Sequence, residues 1–377
     1  MMLLKLIEEK RLTLKIRQWK RNNMNIQVKL LTNKDKKGWN EFIKGPNKAG
    51  VWYTLEWQKI LMEEYGYKPF YLLAEEGGEV CGVLPLFQVR SIITGNRMVS
   101  LPFSYDCGPI ATSEEALTML IAEAEKLVSE LGCDYLELKM QKPIPEAVVR
   151  DTQLLVNEYY FTSVLKLAND PKDNWKRLDT RRTRWAVNKA IRSGVKIRTE
   201  TTEDDIKVFH DLKVRTRKKH GSPAPSLRFF MKIMHEFAPK GLVKLWVAEY
   251  DEKVVSGLMF YSFKDIMIPA FVASDDRYNS YMPNNLLYWK AIEWGCKNGY
   301  RYFDFGRTEP GNKSLLKFKS KWGTDNYKIP YYYYPKKPNL ISTSRGSLKV
   351  NLITGFWKRM PVPLLKILGP YLLKHIG

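Results

Sequence analysis

The chain has 377 residues, 44% of them hydrophobic and 13% aromatic, which suffices for one large domain or two ordinary ones with a sizeable core. Its 62 Lys and Arg against 40 Asp and Glu leave a formal net charge of +22, which favours polyanionic partners: RNA, anionic lipid or phosphorylated substrates. No apolar run reaches the ~18 residues of a membrane span, and none of the four cysteines (81, 107, 133, 296) forms a CxxC pair, so zinc and redox-motif chemistry are excluded.

The first segment, 1–23, is basic and amphipathic, with Met24 an alternative start. Acids and bases run throughout it and leave no uninterrupted apolar region of a secretory signal, so a cytoplasmic location is expected. Trp52, Tyr53 and Trp57 read as core. Residues 70–84, FYLLAEEGGEVCGVL, then read as a β-hairpin, followed by strand-like LFQVRSI. Cys107, in FSYDCGP, reads as a small buried cysteine rather than a nucleophile. A helix with apolar steps at Leu117, Leu120, Ile121, Ala124 and Leu127 ends at Leu131-Gly132, and a strand CDYLELK follows.

A second passage says the same again. Residues 245–259, LWVAEYDEKVVSGLM, form another hairpin; DIMIPAFVA, a helix NNLLYWKAIEWGCKNG and a strand YRYFDFG follow at similar spacing. The chain is therefore α/β (α+β), with two copies of one unit: 24–168 and 169–340, mixed sheets flanked by helices. Between them, 169–200 reads largely as a basic helix ended at Gly194. Arg181, Arg182 and Arg184 on it suit a diphosphate by their planar forks, and equally suit a solvated basic face. The tail, 341–377, ends KRMPVPLLKILGPYLLKHIG. Such a basic amphipathic segment either lies in an anionic membrane interface or packs on the protein as a final helix.

Residues 303–323, FDFGRTEPGNKSLLKFKSKWG, carry the sharpest question. A buried strand opens onto Arg307, Lys313, Lys317, Lys319 and Lys321. Asp304 sits at the carboxyl end of that strand. Its carboxylate can take a proton from an attacking amine, or simply pair with Arg301 or Arg307.

The basic RxTRWAVNKAIRSGV segment, PNNLLYW, YFDFGR and FKSKWG, in this order over residues 24–340, resemble the FemAB/FemX family. Its members are tandem N-acetyltransferase-like (GNAT) proteins that use aminoacyl-tRNA to build peptidoglycan bridges, with relatives from exopolysaccharide clusters. The resemblance implies an acyltransferase forming an amide on an amine of a cell-envelope precursor, either a peptidoglycan peptide or a lipid-linked amino sugar. The acceptor would be lipid- or nucleotide-linked, the donor aminoacyl-tRNA or acyl-CoA, with no tightly bound cofactor and no metal. By the same resemblance Lys319 stabilises the oxyanion or a donor phosphate. Arg307, just past the strand end, joins Lys319 and Asp304 as the catalytic set. Lys317, Asn284 and Asn285 bind substrate, with Asn285 otherwise simply the cap of its helix. Tyr281 lines the cleft or belongs to the core, and Arg277 opens the loop that in GNAT domains holds CoA by R/Q-x-x-G-x-G/A. Here the two glycine positions hold Ser280 and Met282. The helical arm of tRNA-using members has no room between 169 and 242. An acetyl-CoA-type N-acyltransferase of envelope polysaccharide and a non-catalytic RNA-binding protein are the alternatives. The lysine run belongs to the second copy alone, which predicts one active cleft there.

Overall fold

The computed structural model describes residues 26–335 and 348–376. Fifteen strands are formed in chain order: β1 (Ile26–Leu30), β2 (Lys68–Pro69), β3 (Leu72–Glu76), β4 (Glu79–Leu84), β5 (Phe87–Ser91), β6 (Gly95–Val99), β7 (Ile110–Ala111), β8 (Tyr135–Lys139), β9 (Leu155–Lys166), β10 (Lys196–Arg198), β11 (Val243–Tyr250), β12 (Lys253–Phe263), β13 (Ile266–Ser274), β14 (Tyr302–Thr308) and β15 (Asp325–Tyr334). Two sheets result, ordered β1-β3-β4-β7 and β10-β11-β12-β13-β14-β9-β15-β8-β6-β5-β2.

The second copy is the simpler. Its strands β11, β12 and β13 run as a continuous antiparallel meander. The helix Pro283–Lys297 then crosses over and returns the chain to β14, which pairs in parallel with β13 only at Ile266–Met267. Beyond Met267 the two strands splay apart. Leu286, Leu287, Ala291 and Ile292 bury the inner face of that helix, as the three- and four-residue steps predict.

The first copy repeats this plan with a break. LFQVRSI forms a strand, β5, as expected, but it continues β4 past the kink at Pro85 rather than standing in the place of β13. The partner of β5 is β6, while that of β4 is β7. The pair β6 and β7 together therefore correspond to β13, interrupted by the loop 100–109. Proline lacks the amide hydrogen that an unbroken ladder needs, so the sheet divides where Pro85 stands. Here too a parallel pair, β6 with β8, splays after Val99.

The copies are joined by exchanged strands. From the first copy, β9 inserts beside β14 of the second, and β15 from the second lies between β9 and β8 of the first. Tyr331, Tyr332 and Tyr333 on β15 are buried. An aromatic seam runs alongside. Trp57 is 1% exposed and stacks with Phe229, Phe237 and Tyr261 of the second copy, and Trp52 with Tyr105 and Tyr261.

The basic segment between the copies is not one helix. It forms Pro171–Arg177, a wide turn Thr180–Arg184 and Trp185–Arg192. The region 203–237 holds two short helices, Glu203–Lys219 and Leu227–Phe237. The N-terminal segment 1–23 lies outside the described residues.

Because each sheet is completed by the other copy's strand, the chain should unfold in one calorimetric transition. Segments 24–168 and 169–340 expressed separately should each fail to fold. Tyr331→Ala, which empties the exchange layer, should cost about 3–5 kcal/mol in a denaturant titration.

Candidate active site

Asp304 lies at the seam, 8% exposed, and it pairs with neither Arg301 nor Arg307. Its Oδ1 accepts from Thr162 Oγ1 on β9 (2.5 Å) and from the backbone N–H of Gly306 (2.8 Å). The hydroxyl of Tyr105, from the first copy's loop 100–109, donates to Oδ2 at 3.0 Å. Burial pushes the carboxyl above its ordinary range, and these donors and the Lys319 charge partly offset the rise. Three elements thus converge on one carboxylate. The bulge that makes this possible is at Gly306, whose φ of 74° a side chain would resist, and whose missing Cβ would point at the Tyr105 ring 3.5 Å away.

Lys319 arrives from the helix Lys313–Ser320 and is 4% exposed. Its ammonium donates to the carbonyls of Gly306 (2.5 Å) and Arg307 (3.4 Å), which leaves one N–H uncommitted. Burial lowers it to about 8, and Asp304 opposes the shift.

Asp106, next to Tyr105, was not singled out by the sequence. Its Oδ2 accepts from Gln141 (3.2 Å), while the buried Oδ1, beside the Trp52 indole, has no partner in hydrogen-bonding geometry. Desolvation raises this carboxyl well above its ordinary value, and the charge of Asp304 adds to the rise. The two carboxylates are therefore unlike: Asp304 is saturated with donors, and Asp106 has one oxygen that faces only the Trp52 indole, short of good hydrogen-bonding geometry. The neighbouring Cys107 is 0% exposed and its thiol is driven up by burial, which makes it an unreactive core residue.

Among the described residues, two cavities concern the site, one in each copy. One, of about 700 Å³, lies in the splay of the first copy, between Gly108–Thr112 and Met140–Pro145. Lys48 and Lys142 stand at its wall. Lys142 is close enough to lower the Lys48 ammonium to about 8. Gln141 ties this wall to Asp106, since its amide also donates to the Lys48 carbonyl at 3.1 Å. The larger of these two cavities thus lies in the copy with fewer bases.

The other cavity, about 380 Å³, sits at the N-terminus of the helix Pro283–Lys297 and is lined by Asn284, Asn285, Lys219, His220 and Ser274, among others. Asn284 bonds Ser256 and Ser274. Asn285 is not the cap: Met282 is, with φ 58° and ψ 38°. Here a methionine holds the left-handed turn that glycine usually supplies. The free edge of β13 nearby is already occupied. Lys213 donates to the Val272 carbonyl (3.1 Å), and Thr216 Oγ1 accepts from Ser274 N–H (3.4 Å). Burial lowers Lys213 to about 7.

The remaining sequence-derived candidates stand apart. Arg307 is exposed and stacks on Tyr160 (4.4 Å), reaching the Tyr331 hydroxyl at 3.3 Å. Arg277 is turned away, bound by Asp275, and Tyr281 stacks on Tyr250 at 4.2 Å. Arg181 and Arg182 are exposed and Arg184 is half-buried, bonded to Thr180. Their turn is docked on the Lys321 carbonyl through Thr183 (3.1 Å), so they form one basic surface with the exposed Lys317 helix.

The acetyltransferase (GNAT) domain family matches residues 177–328. FemX superposes with a TM-score of 0.64 at 13% identity, covering 81% of this chain and 96% of its own. The chain has the tandem GNAT fold. A tandem GNAT protein from the clavulanic acid biosynthesis pathway is similar at TM-score 0.53 and 12% identity (82% and 98% covered). The C-terminal domain of a proposed lysylphosphatidylglycerol synthetase from Agrobacterium fabrum is similar at 0.51 and 10% (80% and 92%). No curated protein matches by sequence. In this chain both splays of the GNAT fold are present, and the first copy's loop reaches across to the second copy's carboxylate.

Lys319 titrates lower when folded than unfolded, so the unfolded state binds the extra proton. Its contribution therefore makes the fold more stable as pH rises from about 8 towards 10.5. Chemical denaturation across that range should show a steeper rise for the wild type than for Lys319→Met.

Proposed function

We propose that the chain is an acyltransferase that forms an amide on an amine of a cell-envelope precursor, with Asp106 as the proton acceptor. The desolvated oxygen of Asp106 that faces only the Trp52 indole, beside the saturated Asp304, is the observation that carries this reading. An amine attacks as its neutral form, and the tetrahedral intermediate carries an ammonium that must lose a proton. A carboxylate whose affinity for protons is raised by burial and by a neighbouring charge suits that step. Asp304 then acts as a positioning residue that anchors Tyr105 and sets the charge next to Asp106. The uncommitted N–H of Lys319 can meet the developing oxyanion. When the intermediate collapses, the donor's ester C–O (or thioester C–S) bond breaks and the leaving group takes the proton that Asp106 received.

The cavity of the first copy supports an acceptor with an apolar or extended body and an anionic group set against Lys48 and Lys142. Peptide stems and lipid-linked amino sugars are of this kind. For the donor, the occupied edge of β13 favours an aminoacyl ester over acyl-CoA, whose amide-rich arm would need those backbone groups. The A. fabrum neighbour is named a proposed lysylphosphatidylglycerol synthetase, whose product carries an aminoacyl group, here on a hydroxyl rather than an amine. A second reading has its own observation. The second copy's cavity lies at the N-terminus of the Pro283 helix, after the left-handed turn at Met282, and the positive end of the helix there suits a pyrophosphate and so acyl-CoA.

Calorimetric titration with CoA separates the two: absence of saturable binding, with transfer that RNase abolishes, is expected, and tight CoA binding would establish the second reading instead. Asp106→Asn should lower kcat by about 10²–10⁴. Asp304→Asn should move the acid limb of the rate profile to lower pH, because Asp106 loses the charge that raises it. An unmoved limb would remove Asp106 from the role.

A further inference from the structure

The chain closes with two helices, Leu348–Arg359 and Val362–Ile376, and the second has two apolar faces. One is docked. Leu365 and Leu373 are buried, and Gly369 lies against the Ala224 backbone, where a Cβ would come within 2.9 Å of the carbonyl oxygen. Lys366 pairs with Asp211 at 2.6 Å. The last carbonyls are held by the first copy. Tyr67 donates to Lys374 O (2.8 Å), Ser91 and Thr94 to His375 O (2.9 and 3.1 Å), and Arg97 to Ile376 O (3.0 Å). The helix is therefore fixed across both copies.

The other face is open. Leu364, Ile367, Leu368 and Tyr371 follow helical spacing and are 48, 70, 41 and 65% exposed. The bonds from Ser91 and Thr94 bring the β5–β6 turn alongside the helix end, and that turn carries Ile92 and Ile93, 88 and 58% exposed. Exposed apolar residues scattered singly need no explanation, but a helix stripe joined to a hairpin tip marks a contact surface.

Charge identifies the partner. From Asn326 to Gly377 the chain has no Asp or Glu, Lys374 is exposed on the flank of the stripe, and the net charge is +22. A second copy would bring the same positive charge to the contact. An anionic bilayer brings the opposite charge, and its interface receives side chains of unequal reach. No helix among the described residues is long and apolar enough to cross a membrane. We propose that this face docks on an anionic lipid bilayer, with the helix Val362–Ile376 lying in the interface and the Ile92–Ile93 tip inserted beside it. The tail thus joins the two readings that its sequence left open, since one face packs on the protein and the other meets lipid.

The test is co-sedimentation of the full chain with vesicles of phosphatidylcholine alone and with about a third phosphatidylglycerol. Binding to the anionic vesicles only is expected. Ile92→Ser with Ile93→Ser, and Ile367→Ser with Tyr371→Ser, should each weaken it at least about tenfold. Ile191→Ser, at an exposed apolar residue on the helix Trp185–Arg192, should not change it. Circular dichroism and thermal melts check that each variant is folded. No binding by the wild type, or equal binding by all folded variants, overturns the proposal. So does light scattering that finds a dimer dissociated by the same substitutions, which would assign the face to a second copy. The outcome does not depend on which donor or acceptor the active site takes.

Discussion

The pairing of β9 with β15 is the constraint on which the rest depends. Each strand leaves the copy that encodes it and completes the sheet of the other. Two splayed units, each with a free edge, become one continuous sheet without an edge at the join. The exchange also brings Thr162 of β9 beneath Asp304, so the carboxylate at the seam is partly held by a strand from the opposite copy. Fold and site share the same hydrogen bonds there.

From that join follows the division of labour between the copies. The second keeps an unbroken β13 and caps its free edge with Lys213 and Thr216. The first is broken at Pro85 and releases the loop 100–109, which carries Tyr105 and Asp106 across. The interruption leaves the first copy with the larger of the two cavities and brings Asp106 near Asp304. Similar sequences have become unlike structures, with a loop of one half reaching the carboxylate of the other.

Much of this was legible from residues. The doubled hairpin, the helices with their glycine caps and the strand FDFGR follow from periodicity, and they appear where expected. Lys319 and Asp304 meet through the backbone of Gly306. What was not legible lies in contacts distant along the chain. Asp106 gains its character from Asp304 and from burial, and nothing in FSYDCGP announces either. The kink at Pro85 was visible as a proline but not as a division of one strand between two sheets. Arg277 matched a pattern position, yet Asp275 two residues earlier claims its guanidinium. Local competition of that kind is invisible to a motif.

Met282 carries a broader lesson. Its left-handed backbone costs a side chain about 1–2 kcal/mol relative to the ordinary helical region, and the surrounding structure meets that cost. The turn before the Pro283 helix therefore keeps its form without the residue that makes it inexpensive. Shape has outlasted composition at this spot. A pattern that demands glycine there tests for the least strained solution, and it will pass over chains that hold the same concavity by force of packing.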